Sequence, residues 1–283
     1  MSGDVTDLAN LTDAAAGLEV SGADGIAFIT LTRPQRRNAM TPSMWHGLAR
    51  IGRNLPPAIR VVVVRGAGPS FCAGIDLRMF TPEGLPGEPS SVSPADPGFE
   101  DQIAEYQAGF SWLRSPQFVS IAAVQGHAIG AGFQLALACD LRVLADNAML
   151  CMKEPALGLV PDLTGTKPLV EAVGLARAIE LCLTARTVDA QEAARLGLAE
   201  LVVPNADLGA AVSRLAAALL TTDAAAARET KALLMRARTS SLDEQAAAER
   251  AAQARLLRAG RQDLPPTRPD SLDQSHVTGS GRG

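Results

Sequence analysis

From Val124 to Asp140 the chain reads VQGHAIGAGFQLALACD, a stretch in which three glycines directly precede an apolar helix pattern. Gly126, Gly130 and Gly132 allow the backbone to approach a ligand closely, because glycine carries no side chain. The apolar run at 133–138 predicts a helix whose positive N-terminal end faces the same place. The stretch therefore predicts a turn that points backbone N–H groups at a negatively charged oxygen.

A second turn of the same kind lies upstream. The β-branched segment at 61–65 predicts a strand, which leads through the glycines at 66–68 into FCAGIDL at 71–77. The short turn in this motif would present the N–H of Ile75. Two separate segments of the chain thus predict backbone donors for a ligand oxygen.

Length and composition predict a globular catalytic domain. The chain has 283 residues, of which 47% are hydrophobic and 20% are charged, so a well-buried core is expected. A formal net charge of −4 argues against nucleic acid as the main partner, since a surface that follows phosphates is normally basic. Cys72, Cys139, Cys151 and Cys182 have apolar neighbours and no C-x-x-C spacing, which predicts buried reduced thiols. A cytoplasmic protein without export signal or membrane insertion is expected.

The order of strand and helix patterns predicts an α/β fold. Strands are predicted at 25–32, 61–64, 117–124, 140–144 and 199–204, the last of them an edge strand. Helices are predicted from the N-cap Thr41 to Pro56 and at 102–113, 175–183, 189–197, 206–220, 223–236 and 241–257. Residues 81–98 carry five prolines, which predicts a loop or lid. The predicted divisions are an N-terminal extension at 1–17, a core at 18–204, a helical region at 205–261 and a disordered tail at 262–283.

Several common motifs are excluded by their spacing. The glycines of the opening stretch do not follow G-x-G-x-x-G, and those near Lys167 do not follow the Walker A pattern. The sequence contains no G-x-S-x-G and no H-E-x-x-H, and its histidines are His46, His127 and His276. Metal-dependent and serine-hydrolase mechanisms are therefore not expected, and no metal ligands are predicted.

Two carboxylates stand in an otherwise apolar, glycine-rich segment at 152–166. In a desolvated pocket the pKa of a carboxylate rises toward neutrality, so Glu154 and Asp162 are candidates for moving a proton from one carbon of a substrate to another. Two structural alternatives are open. Asp162 would cap a helix that begins near Leu163 or Thr164, and Glu154 would form a salt bridge with Lys153 or an arginine.

Taken together, these pieces resemble the crotonase family, the enoyl-CoA hydratase/isomerase superfamily, over about residues 18–258. The matching motifs occur in the order of the family: Arg33-Pro-x-x-x-Asn38-Ala-Met40, Phe71-Cys-Ala-Gly-Ile-Asp76, Gly126-x-x-x-Gly130-Ala-Gly132, Cys139-Asp140, Glu154-x-x-x-Gly158 and Ala193-x-x-x-Gly197-Leu198. The resemblance implies a crotonase-type spiral of β-β-α turns with a C-terminal α-helical trimerisation region. It also implies a homotrimer or a dimer of trimers.

The resemblance assigns roles to individual residues. Ile75 and Ala131 match the oxyanion hole, whose N–H groups hold the thioester oxygen of an acyl-CoA substrate. Glu154 and Asp162 match catalytic positions, and no cofactor is expected, since coenzyme A is part of the substrate. The expected substrate contacts are Gln35, Arg36, Arg37, Ala73, Asp76, Leu77, Gly130, Gln134, Pro155 and Leu157.

The sequence departs from the hydratase pattern at Gln134, where a second catalytic glutamate is expected. A glutamine cannot act as a base, and we expect it to hold a water or a substrate group. Asp162, eight residues after Glu154, matches dienoyl-CoA isomerases instead. The leading hypothesis is double-bond isomerisation by Glu154 and Asp162. The alternatives are hydration of 2-enoyl-CoA by Glu154 alone, a non-catalytic acyl-CoA-binding protein, and the thioester hydrolysis or decarboxylation of other branches.

Overall fold

The computed structural model describes residues 8–81, 84–88 and 95–259. Parts of the predicted N-terminal extension and of the predicted 81–98 loop lie outside these ranges, as does the whole tail predicted at 262–283. The described part of that loop consists of turns and bends, as predicted.

A six-stranded sheet forms the centre of the fold. Its strands are β1 (Leu18–Ala23), β2 (Ile26–Leu31), β3 (Val61–Gly66), β4 (Val119–Val124), β6 (Leu141–Ala145) and β9 (Leu201–Val203), and they neighbour one another in this order. The first two strands pair antiparallel, and every later pair in this sheet is parallel. The valines at 61–64 are all buried, and β9 lies at the sheet edge, as the sequence predicts.

A second, three-stranded sheet contains the segment that leads into the opening glycine turn. Its strands are β5 (His127–Ile129), β7 (Met149–Cys151) and β8 (Val188–Asp189), with β5 parallel and β8 antiparallel to the central β7. The sequence patterns miss these strands, because two or three residues cannot show an alternation, and they also miss β1. The fold class predicted from the sequence, α/β with a helical C-terminal region, is confirmed.

Nine α-helices lie wholly within the described ranges, and all but the one at 166–173 follow predicted segments closely. They are α1 (Pro42–Asn54), α2 (Phe99–Ser111), α3 (Ala131–Ala138), α4 (Thr166–Val173), α5 (Leu175–Thr184), α6 (Ala190–Arg195), α7 (Leu208–Leu220), α8 (Ala224–Ala237) and α9 (Leu242–Arg258). The predicted cap of α1 is confirmed, since the Thr41 side chain accepts a hydrogen bond from the Met44 N–H. No single helix of the described chain is both long enough and apolar enough to cross a membrane. The segments Asn205–Leu220 and Ala224–Ala237 reach the required length and hydropathy only together, as a bent pair.

The chain divides into two compact units, Met1–Arg228 and Glu229–Gly283. In the first, α7 buries Leu208 and Val212 against β3 and β4 of the large sheet. In the second, α9 begins with a capping box between Ser241 and Glu244. The compact units meet after Arg228, whereas the predicted core ends at 204. The division into compact units does not test the predicted limits of the core and of the helical region, so these limits stay a prediction.

Close backbone packing brings the two predicted turns together. Cys72 forms a parallel bridge with Ala128 in β5, and its carbonyl oxygen accepts from the Ile129 N–H at 3.0 Å. A Cβ on Gly132, in the first turn of α3, would overlap that carbonyl and come within 2.7 Å of the Cys72 Cβ. The absence of a side chain at Gly132 is therefore what allows the 71–76 segment to lie on the start of α3.

We predict that Gly132→Ala lowers the free energy of unfolding by about 1–3 kcal/mol, although alanine favours helices, because its Cβ overlaps backbone. Gly209→Ala is the matched control. Gly209 lies in α7, and a Cβ at this position would meet no described atom within 4 Å apart from its chain neighbours and the backbone of its own helix, so this change should stabilise the protein by up to about 1 kcal/mol. Urea unfolding of both variants measures the difference, and equal stability of Gly132→Ala and wild type would contradict the packing described.

Candidate active site

The N–H of Ile75 points away from the contact that holds its segment. Met40 and Ile75 form an isolated parallel bridge, in which Met40 N–H donates to the Gly74 carbonyl at 2.7 Å and Asp76 N–H donates to the Met40 carbonyl at 2.9 Å. In a parallel pairing, the residue between two such bonds directs its own N–H to the opposite side. No acceptor for the Ile75 N–H occurs among the described residues.

Ala131 lines the same cavity as Ile75. Ala131 is the first residue of α3, and a helix leaves its first N–H groups without intrahelical partners. Gly130 turns the chain into the helix with φ of 51°, a conformation that favours glycine. A Cβ on Gly74 would lie 2.8 Å from the Ile129 carbonyl oxygen and 3.9 Å from the Ala131 nitrogen. The segments that carry the two amides are therefore in contact.

A cavity of about 390 Å³ opens at these amides, within the range of small-molecule sites. Its walls are mostly apolar. The described residues that line it are Arg36, Ala39, Ala73, Gly74, Ile75, Asp76, Leu77, Phe80, Ile129, Gly130, Ala131, Lys153, Glu154, Leu157 and Leu159. Both predicted oxyanion residues and one of the two predicted acids are thus brought together.

Glu154 is the buried acid of this cavity. The residue is 3% exposed, and a Cβ on Gly130 would lie 3.1 Å from its Oε1. Oε1 accepts a hydrogen bond of 2.6 Å from Nε2 of Gln134, whereas Oε2 is buried without a hydrogen-bond partner among the described residues. Burial raises the pKa of Glu154, and the charge of Asp162 also raises it, whereas the backbone of Glu154, the Gln134 side chain and the backbone of Lys153 lower it. A desolvated carboxylate with a free oxygen suits proton transfer.

Gln134 does not line the cavity, and both ends of its amide are bonded to protein. The residue is fully buried in α3. Nε2 donates to Glu154, and Oε1 accepts from the N–H groups of Leu163 at 2.9 Å and Gly165 at 3.1 Å. The structure therefore shows this side chain holding protein groups, where the sequence led us to expect a bound water or substrate group.

Asp162 lies near Glu154 but is not among the residues that line the cavity. It is partly buried, and burial raises the pKa of its carboxyl group. The capping alternative is wrong, because α4 begins at Thr166 and its N-cap is Gly165. The salt-bridge alternative for Glu154 is also wrong, since its carboxylate forms no ion pair with any described residue and is held by an amide instead.

Asp76 lines the cavity with its charge already compensated. Its Oδ2 lies 3.1 Å from Nη2 of Arg33 and 2.7 Å from Nη2 of Arg78. The hydrogen bonds from Arg78, with a smaller contribution from Arg33, lower the pKa of Asp76 to about 2. This carboxylate is fixed as an anion and is poorly suited to proton transfer. Its ion pairs hold the chain immediately after Ile75.

The remaining predicted contacts divide into two groups. Arg36, Ala73, Leu77, Gly130 and Leu157 line the cavity, whereas Gln35, Arg37 and Pro155 do not. Sequence reasoning missed six lining residues: Ala39, Gly74, Phe80, Ile129, Lys153 and Leu159. Each of them lies within a motif or close to one in sequence, so proximity to the motifs is the sequence signal that could have found them.

Within the described ranges, no cluster of three or more His, Cys, Asp or Glu side chains could hold a metal ion.

Comparison with known proteins agrees with this geometry. The family model described as enoyl-CoA hydratase/isomerase matches residues 21–261, which is most of the chain. The chain belongs to the enoyl-CoA hydratase/isomerase family. The motifs that carry Ile75, Ala131 and Glu154 all lie inside the range that this enoyl-CoA hydratase/isomerase model matches.

Individual relatives support the same family. The chain is 35% identical over 228 residues to probable enoyl-CoA hydratase echA8 of Mycobacterium bovis, which covers 80% of this chain and 83% of that protein. It is 35% identical over 227 residues to the human mitochondrial Delta(3,5)-Delta(2,4)-dienoyl-CoA isomerase, with 77% and 68% covered. A Thermobifida fusca YX protein solved in complex with acetoacetyl-CoA has a TM-score of 0.85 and 57% identity, covering 92% of this chain and 100% of that one. The crotonase-type fold predicted from the sequence is confirmed.

We predict opposite stability effects for the two cavity carboxylates. Folding raises the pKa of Glu154, so its ionised form costs stability. Glu154→Gln should increase the free energy of unfolding at pH 7. The gain should shrink as the pH falls through the raised pKa and disappear below about 4.3, the ordinary value for glutamate.

Asp76→Asn is the matched comparison. Folding lowers the pKa of Asp76, so its charge stabilises the fold at neutral pH and that contribution is lost as the pH falls from about 3.9 toward 2. The variant should lose on the order of 2 kcal/mol at pH 7 and less at pH 3. Urea unfolding of wild type and both variants between pH 7 and pH 3 measures these trends. A loss of stability in Glu154→Gln at pH 7 would contradict the description of Glu154.

Proposed function

We propose that this chain is an acyl-CoA enzyme that shifts a carbon–carbon double bond through a thioester enolate. The observation that carries the proposal is the Oε2 atom of Glu154, a buried carboxylate oxygen without a partner among the described residues. Among the described residues that line the cavity, the other carboxylate is Asp76, which two arginines already neutralise. Glu154 is therefore the acid available for proton transfer in this cavity.

The two backbone amides provide the second requirement of the reaction. An enolate formed from a thioester carries its negative charge on the former carbonyl oxygen. The N–H groups of Ile75 and Ala131 have no protein acceptor among the described residues, and we propose that they hold this oxygen. Removing one such donor typically costs about 3–4 kcal/mol of transition-state stabilisation. Their fixed backbone positions require no rearrangement when the charge develops.

The proposed reaction moves one proton and one double bond. Glu154 takes a proton from the carbon next to the thioester carbonyl, and the electrons of that C–H bond form the enolate. As the enolate collapses, its electrons shift along the conjugated chain, and a distant carbon takes up a proton. The former double bond thereby moves toward the carbonyl group. These steps transfer only protons, so we propose that no cofactor beyond the coenzyme A of the substrate takes part.

We propose Asp162 as the group that returns the proton. Burial raises the pKa of this carboxyl group, the direction that suits a proton donor, and in its ionised form Asp162 raises the pKa of Glu154. The carbonyl of Asp162 accepts a hydrogen bond of 2.7 Å from Nε2 of Gln107, which restrains its loop. The human relative named as a dienoyl-CoA isomerase supports this assignment by analogy.

Binding of the coenzyme A part is proposed for the polar side of the cavity mouth. Arg36 is exposed and lines the cavity, and an arginine suits a phosphate group. The Thermobifida fusca relative in complex with acetoacetyl-CoA supports an acyl-CoA ligand.

We further propose a homotrimer or a dimer of trimers, which sedimentation of the purified chain would test.

Hydration of 2-enoyl-CoA by Glu154 alone is the second candidate. One specific observation favours it, because Glu154 lines the cavity and Asp162 does not. In this reaction Glu154 takes a proton from water, the oxygen adds to the carbon distant from the carbonyl, and the neighbouring carbon takes up a proton. The Mycobacterium bovis relative is named as a hydratase.

Three substrate types separate the candidates. We expect the protein to isomerise 3-enoyl-CoA or 3,5-dienoyl-CoA, with products identified by mass spectrometry and NMR. Addition of water to 2-enoyl-CoA with no migration of a double bond in the other substrates would overturn the isomerase proposal. Binding of all three without any turnover would instead identify a non-catalytic acyl-CoA-binding protein.

Asp162→Asn is the sharper test at the level of one residue. If Asp162 returns the proton, kcat for isomerisation should fall by about 100-fold or more, with KM changed little. Glu154→Gln should abolish isomerisation and hydration alike. Retention of full isomerase activity by Asp162→Asn, with unfolding unchanged, would show that the aspartate does not transfer protons.

A further inference from the structure

Gln134 is an amide buried in an otherwise apolar helix, and both ends of that amide are bonded. The helix α3 reads AGFQLALA, and all eight residues are buried. Burying an amide costs free energy unless its donors and acceptors are paired. Gln134 meets this requirement with one bond to Glu154 and two to backbone N–H groups. The side chain therefore has one well-defined position.

This position determines how Glu154 faces the cavity. The 2.6 Å bond from Nε2 of Gln134 holds Oε1 of the carboxylate against the Gly130 turn. Rotation of the carboxylate would break this bond and leave the Gln134 N–H group unpaired in a buried site. Oε2 is accordingly the oxygen left for a ligand, since no described residue is bonded to it.

The same side chain holds the loop that carries Asp162. Oε1 of Gln134 accepts from the N–H groups of Leu163 and Gly165, which come just after Asp162 in the chain. A Cβ on Gly165 would lie 2.6 Å from the Gln134 Cγ, so the loop packs against the glutamine stem without an intervening side chain. A backbone bonded at two nearby positions leaves the preceding residue little freedom.

We propose that Gln134 is a positioning residue that aligns Glu154 and the Asp162 loop with each other from one buried amide. The inference rests on the proposed function, because it concerns the two carboxylates assigned to proton transfer there. Glutamine suits this role, since one end of its amide donates and the other accepts. A carboxylate at this position would accept from the loop and would repel Glu154.

The backbone of Glu154 and of Lys153 also lowers the pKa of Glu154, but no other described side chain replaces the donor that Gln134 supplies. Asp162 acts on it from the loop with a negative charge. Cys151 in β7 and Cys182 in α5 lie near it as thiols, and burial raises the pKa of both. Lys153 precedes Glu154 but is exposed at the cavity wall. Among the described residues, Gln134 is the side chain that donates a hydrogen bond to this carboxylate.

Two substitutions separate the two contacts. Gln134→Glu keeps an acceptor for the Leu163 and Gly165 N–H groups but replaces the donor to Glu154 with a like charge. Gln134→Met has nearly the same length and removes both contacts. Gln125→Glu is the matched control, because Gln125 donates to the carbonyls of Gly66 and Gly68 instead.

The titration of Glu154 is the readout, and it requires no turnover. The purified full-length protein is labelled with ¹³C at the glutamate side-chain carboxyl carbon, and the Glu154 signal is assigned by its loss in Glu154→Gln. We expect Gln134→Glu to move the Glu154 titration to higher pH by at least about one unit, since it removes a donor and adds a negative charge. Gln134→Met should move it in the same direction, and Gln125→Glu should leave it unchanged.

The pH dependence of kcat/KM should shift in the same direction as the titration of Glu154. In Gln134→Glu, the acidic limb of the kcat/KM profile should move to higher pH together with the NMR titration, while KM changes little. An unchanged Glu154 titration in folded Gln134→Glu would overturn the inference, as would a Gln134→Met protein that loses stability without any change in this titration. A wild-type protein that turns over no acyl-CoA would instead refute the proposed function, and the titration would still test the hydrogen bond.

Discussion

The hydrogen bond between Gln134 and Glu154 is the contact on which the site depends. An ionised carboxylate in an apolar cavity is unfavourable, and Glu154 receives only this one bond from a described side chain. A second bond to Oε2 would stabilise the anion further, but it would also remove the oxygen that can accept a proton. The site therefore keeps Glu154 oriented and incompletely stabilised, as the proposed proton transfer requires.

Backbone packing provides the matching half of the site. The Ile75 amide is left free by the bridge with Met40, because that bridge uses the groups on either side of it. The Ala131 amide has no intrahelical partner because it begins a helix. Gly132 lets these two segments touch, and Asp76, paired with two arginines, holds the first of them in place. Donors fixed in this way can stabilise a developing charge without moving.

Much of this arrangement is predictable from local sequence. The glycines around Ala131 predict a turn and a helix start, and the valines at 61–64 predict a buried strand, because these signals depend on neighbouring residues. The partner of Gln134 is not predictable in this way. Glu154 lies 20 positions away and Gly165 lies 31 positions away, so only the fold shows that one amide bonds both. The sequence suggests a water or a substrate group as the partner of Gln134, because an isolated glutamine gives no indication of which polar groups surround it.

The same limit applies to the charged residues. Asp76 belongs to a recognisable motif, yet its ion pair with Arg33 spans 43 positions. Together with Arg78, this pair lowers the pKa of Asp76 and keeps its carboxylate ionised. Asp162 shows the opposite case, since its spacing from Glu154 predicted a shared site and the structure places it near Glu154 but outside the cavity lining. Short strands such as β5 were invisible because three residues carry no periodic signal.

Exchange of the proton next to the thioester tests the central claim most directly. A saturated acyl-CoA, such as butyryl-CoA, cannot be hydrated or isomerised, but its enolate can form in the cavity. In D₂O, the wild-type protein should incorporate deuterium at the carbon next to the carbonyl, as followed by NMR, and Glu154→Gln should not. Exchange by Glu154→Gln at the wild-type rate would show that another group removes the proton and would contradict the account.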